Sequence, residues 1–152
     1  MSLTTLLTQL RLTQCDAKTP FRHTHETKGA AERAERRVKE GTSCALIQSG
    51  LAYMWWDLAQ YCYCFLRNIV DEQRSGHTSY YARFGDDFRG PIIPFGAEIS
   101  YKPITDKDID RLHKFGSKML SGIFVGYEQR AGGGWSDNLL ILDWDDVENA
   151  DA

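Results

Sequence analysis

The chain is 152 residues long, with a formal net charge of -3, 42% hydrophobic and 12% aromatic content. That balance excludes wholesale disorder and a surface coated in positive charge, so any contact with nucleic acid has to be local. No apolar run reaches the roughly 18 residues of a membrane-spanning helix, and the opening MSLTTLLTQLRLTQ has neither a charged leader nor a continuous apolar stretch; a soluble intracellular protein is expected.

In chain order, residues 1–20 carry no motif. From 28 to about 70 the period is helical. The run AAERAERRVKE after Gly29 is rich in good helix formers and predicts a helix over 29–40. Gly41 and Thr42 are expected to weaken it, leaving SCALIQSG as a further turn or two closed by Gly50. In YMWWDLAQYCYCFLRNIV, residues Trp55, Leu58, Cys62, Phe65 and Ile69 recur at steps of three and four, which turns one apolar face toward a core. The polar DEQRSGHTS, 71–79, reads as a linker.

From about 90 the period changes. PIIPFGAEISYKP, with its prolines, suits a strand at a sheet edge, and ITDKDIDRLHKFGSK is loop-like. MLSGIFVGYEQ and DNLLILDW have the length and residue types of strands, with RAGGGW as the turn between them. The predicted class is α+β: a helical segment, a linker, and a small barrel or curled sheet.

Cys15, Cys44, Cys62 and Cys64 make no CxxC pair, and Cys62 and Cys64 fall inside the aromatic helical run, where buried thiols are the ordinary reading. His23 and His25 form an HxH pair with no second pair at zinc spacing, so no structural zinc is expected. The helix over 29–40 is the segment richest in chemistry. At 3.6 residues per turn, Glu32, Arg36 and Lys39 lie along one face and Arg33 and Arg37 form the adjacent row. Two uses fit that layout. Glu32–Arg36 and Glu35–Lys39 can be i,i+4 pairs on a solvated helix, each contributing a few tenths of a kcal/mol. Alternatively, a carboxylate at the positive end of the helix helps to hold a divalent ion while the cations behind it grip phosphates without reading sequence.

FRHTHETKGAAERAERRVKEGTSCALIQSGLAYMWWDLAQYCYCFLRN resembles the end of the integrase catalytic core of copia-type retrotransposons, through Gly29, Ala31, Glu32, Arg33 and Arg36, then Trp55 and Trp56, then Asn68. Downstream, SYYARFGDDFRG is similar to the spacer that follows such cores, and PFGAEISYKP, SGIFVGYEQ and NLLILDW are similar to their SH3-like β domain. The likeness covers about residues 21–148. It implies an unassigned segment 1–20, the C-terminal part of a ribonuclease H-like core over 21–72, a linker 73–89, an SH3-like β-barrel over 90–148 and an acidic tail 149–152.

The resemblance also implies cutting and joining of DNA ends with magnesium or manganese held by three carboxylates, the third of which falls on Glu32. Arg33 and Arg36 fall on positions that face the element's DNA end. Arg37 beside them and Lys39 one turn on extend the basic face by helical geometry. DNA, further integrase chains in an oligomer, and a place in the nucleus or a virus-like particle follow from the same likeness.

Three departures qualify the carry-over. Lys28 stands where the family has Asn or Gln, and Glu35 stands where it is polar or basic. The two upstream aspartates have no counterpart; Asp16 is the only aspartate before Glu32, and QCDAKTP does not resemble their motif. One carboxylate cannot orient two divalent ions. The expectation is therefore a truncated integrase that retains nucleic-acid binding, is inactive alone and holds no metal by itself, with Trp55 and Trp56 short of the sheet they would pack on. The alternatives are a non-catalytic module contacting DNA or protein through Tyr101, Phe124, Tyr127 and Trp135, or a pseudogene remnant.

Overall fold

The computed structural model describes residues 25–144 and 147–148. The chain divides into two compact units, Met1–Arg37 and Val38–Ala152. Helix α1, His25–Ser49, begins in the first and ends in the second. Residues 1–24, including Cys15, Asp16 and His23, lie outside the described part.

The expected weakening of α1 at Gly41 and Thr42 does not occur; the helix runs unbroken to Ser49 and stops at Gly50, whose φ of 71° is the left-handed turn that only glycine takes at no cost. Two local contacts explain the continuity. The Thr42 hydroxyl donates back to the Val38 carbonyl at 2.8 Å, so it is satisfied inside the helix. Gly41 is where the Tyr63 ring lies against the helix, so closely that a Cβ there would overlap the ring. The glycine serves close approach rather than termination.

A 3-10 turn, Tyr53–Trp55, leads into α2, Trp56–Val70, which buries Ala59, Cys62, Phe65 and Ile69. That is the apolar face expected from the period, with Leu58 packed at its margin. An Arg67–Asp71 ion pair at 2.8 Å closes the last turn.

The segment read as a linker, 73–89, carries a short helix and aromatic residues packed on the core. The Thr78 hydroxyl accepts from the Tyr81 amide at 3.1 Å and starts α3, Ser79–Phe84, which ends at Gly85. Tyr80 and Phe88 meet the Phe65 ring edge-on, with centroids 6.2 and 5.6 Å away. Tyr80 and Phe84 lie one turn apart on this helix, and Phe88 follows beyond its end.

The sheet has the antiparallel order β1, Glu98–Tyr101, then β2, Leu120–Gln129, then β3, Trp135–Asp143. Glu98 lies opposite Ile123, and Gly122 opposite Asp143. Among the described residues β1 and β3 are the outer strands, and no pairing between them closes the sheet. A short helix α4, Asp106–Asp110, interrupts the expected loop, capped by Thr105 and carrying Asp106 and Asp108 in its first turn. Tyr101 and Arg111 both bond to Asp143, at 2.7 and 2.8 Å, tying that excursion to β3.

From Gly122 to Tyr127 the central strand is buried without alternation. Phe124 pairs with Ile141 and Gly126 with Leu140, so Val125 is an extra residue on β2. The bulge lets Phe124 and Tyr127, three residues apart, meet edge-on at 5.1 Å. One core holds the α2 face, Phe95 and the middle of β2. Fold class is α+β, with the second unit built around a helix packed on a three-stranded sheet.

Candidate nucleic-acid interface

Glu32, Arg33, Arg36 and Arg37 are all exposed, in the part of α1 that belongs to the Met1–Arg37 unit; Lys39 is exposed in the other unit. Helical spacing places Arg36 and Arg37 about one turn from Arg33. The i,i+4 pair expected between Glu32 and Arg36 is not formed: none of Glu32, Arg33, Arg36 or Arg37 makes an ion pair with a described residue. Two exposed long side chains gain little by pairing, since solvent screening and lost rotamer freedom offset the attraction. Arg33 lies back toward Gly29, where a Cβ would stand 3.6 Å from its Nη1 atom. The arrangement is three solvated guanidinium groups on one helical surface, able to meet phosphate oxygens two at a time.

Glu32 alone does not fit a divalent cation, which takes several oxygen ligands. Among the described residues no three His, Cys, Asp or Glu side chains come together in a group suited to a metal ion.

The aromatic residues of the alternative reading have structural duties. Phe124 and Tyr127 are buried in the core. The Tyr127 hydroxyl donates to the Pro91 carbonyl at 2.8 Å and accepts from the Ile93 amide at 2.9 Å, and burial raises its pKa. Trp135 is half-buried, donating from Nε1 to the Asn138 carbonyl at 2.7 Å and packing on Phe88. Tyr101 is half-buried; burial first, and its bond to Asp143 second, push its hydroxyl up to about 12.

Burial pushes the Cys62 thiol up to about 12, while Cys44 is exposed, and both are free thiols. Trp55 is half-buried, and Trp56 is 57% exposed within a run of exposed apolar residues that includes Tyr53 and Met54. The PFG stretch forms a turn in which Phe95 enters the core and Gly96, at φ 80°, is so close to Ser49 that a Cβ would overlap it. One residue passed over in the sequence is Arg83. The linker reading hid it, yet α3 carries it to the wall of a cavity of about 200 Å³.

No helix among the described residues is long and apolar enough to cross a membrane. Comparison with protein-family models, with curated proteins and with solved structures finds no match to the chain.

Proposed function

We propose that the chain is the C-terminal part of a copia-type integrase, which holds a nucleic-acid backbone through Arg33, Arg36 and Arg37 and does not cut or join DNA by itself. The observation that carries the reading is the exposed row of guanidinium groups on α1 with no ion-paired carboxylate among the described residues. It sits beside Glu32, in the order and spacing that resemble the family. On this reading α1 and α2 are the end of a ribonuclease H-like core, and β1–β3 belong to an SH3-like barrel. The exposed Tyr53, Met54 and Trp56 side chains support it, because helices of such a core have a sheet to pack against. Magnesium or manganese would need two further carboxylates from outside this chain, as would strand transfer. DNA ends and further integrase chains are the partners, in the nucleus or a virus-like particle.

The test is fluorescence anisotropy of the full chain with a labelled DNA duplex, alongside a nicking assay in magnesium. Binding that Arg33→Glu with Arg36→Glu abolishes, and no nicking, is the expected result. Unchanged binding in that variant would reject the interface. Nicking that Glu32→Gln removes would reject the inactivity.

A further inference from the structure

Within the Val38–Ala152 unit, two adjoining cavities share Tyr80 and Phe84. The smaller, about 200 Å³, has Asn68, Ser79, Arg83 and Gln129 among its lining and no carboxylate. The larger, about 410 Å³, adds Phe88 and Trp135, whose rings lie 5.1 Å apart.

The charges of the two cavities are settled differently. In the larger, Arg89 is bound to Asp86 at 2.9 Å and Arg130 to Asp137 at 3.4 Å, and Asp87 is a third carboxylate in the lining. In the smaller, Arg83 makes no ion pair with a described residue, and its guanidinium carbon rests 5.6 Å from the centre of the Phe84 ring. Gly133 borders that group: a Cβ there would stand in ordinary contact, 3.7 Å from the Arg83 Nη1 and 3.8 Å from the Gln129 Oε1. The φ of 86° at Gly133 disfavours any side chain there. Ser79 Oγ accepts from Gln73 at 2.9 Å, which leaves its own proton to donate. A guanidinium fork with neutral amide and hydroxyl groups around it, and no acid, matches the tetrahedral oxygens of a phosphate. An aromatic wall next to it matches the face of a base.

We infer that the smaller cavity takes the phosphate of a nucleotide through Arg83, and that the ring of Phe84 with Trp135 beyond it takes the base. This site is built within the Val38–Ala152 unit, and the inference does not rest on Arg33, Arg36 and Arg37.

The test is a titration of the isotope-labelled full chain with thymidine 5′-monophosphate, thymidine and inorganic phosphate, followed by amide and indole NMR shifts. Saturable shifts at the Gly133 amide and the Trp135 indole are expected with the monophosphate, with weaker binding of both other probes. Arg83→Gln should weaken the monophosphate by about tenfold, as loss of a charge-assisted contact does. Arg83→Lys, which keeps the charge and loses the fork, should recover part of it. No shift at Gly133, or equal affinity in the Arg83→Gln chain, would overturn the site. Inorganic phosphate binding as tightly as the monophosphate would overturn its aromatic half.

Discussion

The ring of Phe65, on α2, lies stacked on the ring of Tyr127, on β2, with centroids 4.6 Å apart and planes 28° apart. This contact joins the tryptophan-led helix to the sheet, across a boundary that the sequence pattern placed at 72. Removing the ring should leave Tyr127 and Phe88 facing a void. Phe65→Ala is expected to cost about 3–5 kcal/mol in urea unfolding. A loss below 1 kcal/mol would mean that helix and sheet are stable separately.

The same core makes a sharper prediction for a fragment. Residues 90–148 lack Ala59, Cys62, Phe65 and Ile69, which cover the middle of β2. Expressed alone, they should give collapsed amide shifts and no cooperative thermal transition. Residues 38–152 should melt cooperatively. A well-dispersed spectrum from 90–148 would contradict the shared core.

Gly41→Ala offers a test of opposite signs. Helix propensity alone would favour alanine by about 1 kcal/mol. The Tyr63 ring over Gly41 reverses that, because overpacking costs about 1–3 kcal/mol. The variant should be destabilised in the wild-type background and stabilised when Tyr63→Ala is also present. Equal effects in both backgrounds would remove the close approach.

Tyr101 links pH to stability. Its hydroxyl titrates near 12 in the fold, against 10.0 for an ordinary tyrosine, so the folded state favours the neutral form. Its contribution is therefore complete below pH 10 and is lost as pH rises through 12. Tyr127 and Cys62 shift in the same direction, so the informative quantity is a difference. Tyr101→Phe should flatten the fall in stability across this window; an unchanged slope would show that neither burial nor the Asp143 contact holds the proton.

Much of the architecture was legible because its cause is periodic. Steps of three and four in α2 and strand-length apolar runs in β2 and β3 survive in the fold at nearly the positions read. What was not legible depends on contacts distant in sequence. Gly41 looks like a helix breaker until Tyr63 is placed over it. The aromatic steps 80, 84 and 88 look like linker until Phe65 is among them. The basic row was readable, since a helix surface follows from its spacing, but the absence of a Glu32–Arg36 pair was not, because rotamers of exposed side chains leave no trace in sequence. Arg83 had no signal at all: its cavity is made by α2, α3 and the turn at Gly133.

The central claim is that Arg33, Arg36 and Arg37 meet phosphates. Its most direct test is the salt dependence of duplex affinity for the full chain, compared with Arg33→Gln, Arg36→Gln and Arg37→Gln together. Each lost phosphate contact should lower the slope of log affinity against log salt by about 1, giving a reduction of about 3 for the triple variant. Wild-type binding with the same slope as the triple variant would contradict the account.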